Sequence, residues 1–168
     1  RGEGIDVPAL FEYAKAHKEI RGFPGADEAA TDAIYSTPVD FFIPAALENT
    51  VNQRTAALID CRALFEAANG PVTPEGEAIL ISKKIDVIPD ILVNAGGVVV
   101  SYFEWVTNRR NEVWDIEYVD GRLRKTMMKA YDSVADAQTK YGCDGRTAAY
   151  CVALKALEES YLERGIFP

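Results

Sequence analysis

The chain has 168 residues, 48% of them hydrophobic and 26% charged, with a formal net charge of -8. That length supports one domain with a real core, and the composition is ordinary for a soluble globular chain. The acidic balance argues against nucleic acid as a partner, because phosphate binding needs clustered Lys and Arg.

The two basic knots, Arg109-Arg110 and Arg122-Leu123-Arg124-Lys125, lie among acidic residues and read as solvated helix faces. Cys61, Cys143 and Cys151 are widely spaced with no C-x-x-C pair, so neither a disulfide framework nor a zinc site is signalled. A reducing cytoplasm fits that usage best. His17 is the only histidine, which excludes a His-based triad and a multi-histidine metal site. No secretory signal is visible and no apolar run approaches a membrane span, so no membrane partner is expected.

In chain order, Asp6 caps a helix that Pro8 enters in its first turn and that runs to about His17, with Leu10, Phe11 and Ala14 on its apolar face. RGFPGA is a turn, followed by a weaker helical piece over Asp27 to Tyr35. Val39 to Pro44 reads as a buried strand. Then a pattern repeats: helix over Thr50 to Ile59, strand over Ala63 to Phe65, helix over Thr73 to Lys83, strand over Ile85 to Ile88. Strands alternating with helices at this spacing predict a parallel sheet in an α/β fold. The loops PAALEN, EAANGP and IPD, one after each strand, should then share one rim, where open α/β sheets bind ligands.

Beyond the third strand, IPDILVNAGGVVVSYFEW (Ile88 to Trp105) opens on a Pro-Asp pair suited to starting a helix. If it is helical from Asn94 onward, Asn94, Val98 and Ser101 share a face beside the double glycine Gly96-Gly97. Such a face suits either a closely approached small polar ligand or a buried, tightly packed helix. Ile116, Val119, Leu123, Met127, Ala130, Val134 and Ala137 then mark a long amphipathic helix stopped by Tyr141-Gly142. A last helix over Gly145 to Arg164 turns Ala148, Cys151, Val152 and Leu157 inward and ends at Gly165. One domain results, with an α/β part over 1–105 and a helical cap over 106–168.

Three phrases, DFFIPAALEN (Asp40 to Asn49), EAANGPVTPEGEAIL (Glu66 to Leu80) and IPDILVNAGGVVVSYFEW, closely resemble in order and spacing the nucleotide-binding domain of the Glu/Leu/Phe/Val dehydrogenase family, glutamate dehydrogenase above all. GFPGA (Gly22 to Ala26) and DGRTAAYCVALKAL (Asp144 to Leu157) extend the match almost end to end. The resemblance implies a partial Rossmann-like, mostly parallel sheet with flanking helices and a helical cap. It implies the oxidative deamination of L-glutamate to 2-oxoglutarate and ammonia with NAD or NADP, in a homo-oligomer, hexameric in the parent enzyme. By the family's motifs, Ser101 would hydrogen-bond the substrate's side-chain carboxylate and Val98 would pack on the substrate. Asn69 and Asn94 would lie at the nicotinamide end of the cofactor, and Ala45 and Ala46 would line its groove.

Departures from the family pattern accompany the match. Ala67 stands where the family usually has glycine. No stretch matches the Gly-rich G-x-G-x-x-G turn or the domain that supplies the catalytic lysine and aspartate, so no catalytic residue and no metal ligand is assigned. The expectation is the latter part of one domain of a larger enzyme, inactive alone. The alternative is a non-catalytic ligand-sensing or interaction module on the same scaffold.

Overall fold

A computed structural model describes residues 4–165. Contacts divide the chain into two compact units that meet in sequence at Thr37 and Pro38.

In the first unit, helix α1 (Val7–His17) begins where Asp6 Oδ1 accepts from the Ala9 N–H at 3.0 Å, with Pro8 in the first turn. It ends at Lys18 in the left-handed region. Leu10, Tyr13 and Ala14 are partly covered, whereas Phe11, expected on the apolar face, is 65% exposed. Tyr13 stacks on His17 at 4.0 Å and donates its hydroxyl to the Arg21 carbonyl, which ties the helix to the turn that follows it. The expected helix over Asp27 to Tyr35 shrinks to α2 (Ala33–Ser36). Asp32 supplies no side-chain cap there, and Pro38 holds Thr37 extended and ends the turn.

The second unit opens with β1 (Phe41–Phe42), shorter than the predicted run from Val39. Backbone bonds from Val39 N–H to Asp60 O and from Arg62 N–H to Asp40 O continue the pairing upstream, and Pro44 has no N–H to extend it. Helix α3 (Gln53–Leu58), β2 (Ala63–Phe65), α4 (Pro74–Ser82) and β3 (Asp86–Ile88) follow. The three strands are parallel in the order β1-β2-β3, with Phe42 opposite Leu64 and Leu64 opposite Val87.

Both crossover helices have strong local start signals. Asn52 and Thr55 form a reciprocal capping box on α3, and Thr73 caps α4 ahead of Pro74. Lys83, just past the end of α4, donates its ammonium to the carbonyls of Ala56, Ala57 and Ile59 and so closes the open end of α3. Gly76 lets α4 approach the segment ahead of α3 closely, since a Cβ there would run into the Val51 carbonyl oxygen. Val51, Ala56, Ile59, Leu64 and Leu80 are buried to 1% exposure or less and form the sheet-side core.

After β3 the chain is helical: α5 (Asp90–Val93), α6 (Ala95–Arg110), α7 (Ile116–Tyr141) and α8 (Gly145–Arg164). Gly142 ends α7 in the left-handed region and Asp144 caps α8. Leu92, Val134, Ala137, Ala148 and Ala149 make a second buried cluster, which Ile88 and Val152 flank. The predicted stripe on α7 holds from Val119 to Ala137, but Ile116 is exposed. On α8 the buried positions are Gly145, Ala148 and Ala149, whereas Leu157, expected inward, is 56% exposed.

Among the described residues β1 pairs with β2 alone, and Phe41 and Ile43 are 58% and 59% exposed. An apolar edge of this kind recruits other strands. The 168-residue chain is therefore expected to self-associate on concentration in a light-scattering series, and Phe41→Lys to reduce it. A dilution-independent folded monomer would refute this.

Candidate functional site

Of the three loops expected on one rim, PAALEN and EAANGP meet at a groove, but IPD does not line it; the α5–α6 junction and α6 take its place. Ala46, Leu47 and Glu48 after β1, Ala67, Ala68 and Asn69 after β2, and Asn94 and Val98 after β3 line one open groove of about 680 Å³. This is the rim where an open parallel sheet presents its crevice. The first two loops turn through left-handed residues, Asn49 at φ 58° and Gly70 at φ 54°. They are stitched together by the Asn49 N–H donating to the Gly70 carbonyl at 2.9 Å.

Inside the groove two carboxamides meet. Asn94 Nδ2 donates to Asn69 Oδ1 at 2.6 Å and more weakly to the Ala68 carbonyl at 3.4 Å. Asn94 sits at the junction of α5 and α6, where Pro89 and Asp90 turn the chain out of β3 into the short helix before it. The pair leaves the Asn69 amide N–H groups and the Asn94 carbonyl oxygen outside that bond, one donor group and one acceptor on the same groove wall.

On α6 the face bearing Asn94, Val98 and Ser101 is open. Val98 is 69% exposed, Ser101 is exposed, and a Cβ added at Gly97 would meet nothing within 4 Å. The buried-helix alternative therefore fails: the helix packs through Phe103 instead. Gly97 leaves bare backbone on this face whereas Gly96 faces Leu123 of α7, and the Ser101 hydroxyl donates to the Gly97 carbonyl at 3.1 Å.

Of the six residues singled out in the sequence, Ala46, Asn69, Asn94 and Val98 come together on the groove wall. Ala45 immediately precedes Ala46, and Ser101 lies one helical turn beyond Val98; neither is among the lining residues.

The sequence reading assigned no role to the charged knot behind this wall. Arg146, in the first turn of α8, reaches Glu66 at 2.7 Å, Glu77 at 2.8 Å and Asp90 at 3.3 Å. The Glu66 side chain is fully buried at the end of β2 and also accepts from the Asp90 N–H at 2.8 Å. Burial pushes its carboxyl above the usual range, against the pull of the Asp90 N–H and of Arg146. Arg146 is held firmly protonated: its partial burial is outweighed by bonds to Glu77 and Glu66. Removing one partner of such a buried pair costs about 3–5 kcal/mol. A signal was available, since an arginine in the first turn of an alanine-rich helix opposes the helix dipole and needs acidic partners.

The fold and groove define a Rossmann-like α/β domain with a ligand crevice at the strand ends. The family model for glutamate/leucine/phenylalanine/valine dehydrogenases matches residues 1–165, and the chain belongs to that family. It is 41% identical over 166 residues to a glutamate dehydrogenase of Thermotoga maritima, covering 99% of this chain and 40% of that protein. It is 40% identical to an NAD-specific glutamate dehydrogenase of Clostridioides difficile, covering 96% of this chain and 38% of that one. Relatives named as NADP-specific also match. Among solved structures, the hetero-hexameric glutamate dehydrogenase from Thermus thermophilus superposes with a TM-score of 0.91 at 28% identity, over 100% of this chain and 39% of that one. The chain thus spans about 40% of the length of the curated relatives it matches.

Asp144 sets where α8 and its Arg146 begin. Burial raises its carboxyl, but the Thr147 N–H at 2.9 Å and hydroxyl at 2.7 Å outweigh this and hold it below the ordinary value of 3.8. A carboxyl held low in the fold gives stability that is present above its unfolded value and lost as pH falls through the folded one. Asp144→Asn, which can still cap, should flatten the loss of stability below pH 3.8, measured by urea unfolding across an acid series. An unchanged acid limb would remove Asp144 from that titration.

Proposed function

We propose that this chain is the latter part of the dinucleotide-binding domain of an NAD(P)-dependent glutamate dehydrogenase. The reaction converts L-glutamate, NAD(P)+ and water to 2-oxoglutarate, ammonium and NAD(P)H with release of a proton. One observation carries the reading: the loops after β1 and β2 and the start of α6 meet in a groove whose wall presents the paired amides of Asn69 and Asn94. A donor and an acceptor on one wall complement the carboxamide of a nicotinamide ring. When bound, the nicotinamide supplies the hydride acceptor.

The chain's own residues bind and orient. Asn69 and Asn94 hold the carboxamide end of the ring, and Ala45 and Ala46 keep the wall low enough for the cofactor to lie along it. Val98 packs on the substrate. The Ser101 hydroxyl, now turned to the Gly97 carbonyl, rotates to donate to the side-chain carboxylate of glutamate. The catalytic lysine and aspartate and the Gly-rich pyrophosphate turn of the family match no stretch here, so this segment provides a wall of the site. The working assembly is a homo-oligomer on this reading, and the Thermus relative, itself a hetero-hexamer, supports six subunits. A cytoplasmic location fits Cys61, Cys143 and Cys151, which are free thiols.

Two measurements test the reading. The purified 168-residue chain is expected to form no NAD(P)H from glutamate above a protein-free control, since hydride transfer needs both reactants held in near-attack geometry; measurable turnover would overturn this. In the oligomeric enzyme, Ser101→Val should weaken use of glutamate far more than of norvaline. A buried carboxylate left without its donor costs about 1–3 kcal/mol, and that is roughly tenfold or more in kcat/KM. Equal losses on both substrates would take Ser101 out of the substrate site.

A further inference from the structure

Arg146 does not touch the groove, yet one arm of its network leads there. Asp90 Oδ1 accepts from the Arg146 guanidinium at 3.3 Å and from the Ile91 N–H at 2.8 Å. Asp90 Oδ2 accepts from the Gly70 N–H at 2.8 Å. Gly70 follows Asn69 and stands in the left-handed region, so its backbone N–H has no regular ladder partner and depends on this carboxylate. Asn69 in turn carries the acceptor for Asn94 at 2.6 Å. Glu66 closes the loop of contacts from the other side, taking the Asp90 N–H and both Arg146 Nη2 bonds. The Glu77 arm instead runs to α4 and reaches no groove residue.

We propose that Arg146 is a positioning residue for dinucleotide binding: it fixes the rotation of the Asp90 carboxylate, and Asp90 fixes the Asn69–Gly70 turn that carries the groove's carboxamide pair. This rests on the reading of the groove as the nicotinamide site. A carboxylate is loosely held about its last torsion. The planar guanidinium adds a charged contact to the Ile91 and Gly70 N–H bonds that hold it, and an ammonium cannot serve three carboxylates in the same plane. Once Asp90 rotates, the Gly70 N–H loses its acceptor and the turn gains freedom, so that Asn69 and Asn94 no longer present a fixed donor and acceptor pair.

The experiment compares Arg146→Lys, Asp90→Asn and Glu77→Gln in the full-length protein. Amide hydrogen exchange over residues 67–71 is read without ligand, and NADH and NADPH binding by fluorescence titration. Arg146→Lys and Asp90→Asn should each speed exchange over 67–71. Each should raise the Kd of the preferred dinucleotide on the order of tenfold, with the glutamate KM near wild type. The double variant should be little worse than either single one, because the two residues act in series. Glu77→Gln should lower the unfolding midpoint while leaving both exchange and dinucleotide Kd near wild type. A simple structural glue predicts otherwise: if Glu77→Gln moves exchange and binding as much as Asp90→Asn, or if Arg146→Lys leaves exchange over 67–71 unchanged, the proposal is overturned. A wild-type protein that binds neither dinucleotide overturns the reading of the groove, and the exchange pattern then decides the coupling of Arg146 to the turn by itself.

Discussion

The convergence of three carboxylates on the Arg146 guanidinium is the constraint on which this structure turns. It joins the end of β2 through Glu66, α4 through Glu77, the start of α5 through Asp90 and the first turn of α8. A buried ion pair of this sort is weak as net stabilisation, because desolvation offsets much of its attraction. Its effect is on geometry. A guanidinium with its donors in a rigid plane admits few arrangements of three carboxylates, so the elements carrying them are held in one relation. Domains of this size are stable by about 5–15 kcal/mol in all, which leaves little room to lose a partner from the knot.

The groove is the product of that relation and of the parallel sheet. Parallel strands send all their carboxyl ends to one side, and each crossover helix returns the chain so that the next loop lands beside the last. Small residues then keep the rim low: Ala46, Ala67 and Ala68 line it, and Gly97 leaves open space beside it. Ala67, in a position where the family usually has glycine, is half-buried on that wall, so a methyl group fits there without closing the groove. The polar side chains of the groove are Asn69, Asn94 and Glu48, set among Ala46, Leu47, Ala67, Ala68 and Val98. Such a wall suits the proposed cofactor role, since a flat ring needs close approach and few, well-placed hydrogen bonds.

Much of this was legible in the sequence, because many of its signals are local. Asp6, Asn52, Thr73, Asp115 and Asp144 each cap a helix from within a few residues, and Gly142 stops α7 by adopting a backbone that most residues avoid. The alternation of short apolar runs with helical stretches was enough to fix a parallel α/β sheet and to place PAALEN and EAANGP on one rim, whereas IPD, expected beside them, leaves its place on the groove wall to Asn94 and Val98 further along. The heptad-like stripe from Val119 to Ala137 announced the buried face of α7. Errors fell where periodicity outran packing: Phe11, Ile116 and Leu157 match an apolar face but remain more than half exposed among the described residues.

What the tertiary structure alone decided is the side-chain chemistry assembled across long separations. Arg146 meets its three carboxylates at separations of 56, 69 and 80 residues, and Gly70 meets Asp90 at 20. No window of sequence contains such a pairing. Whether α6 turned Asn94, Val98 and Ser101 toward a core or toward a groove was likewise open, since helical spacing says which residues share a face and nothing about what lies opposite it. The chain's own sequence determined its elements and their order, because caps, turns and apolar periods act over a few residues. The fold decided which charges are buried together and which face stays open, because those depend on where distant elements come to rest.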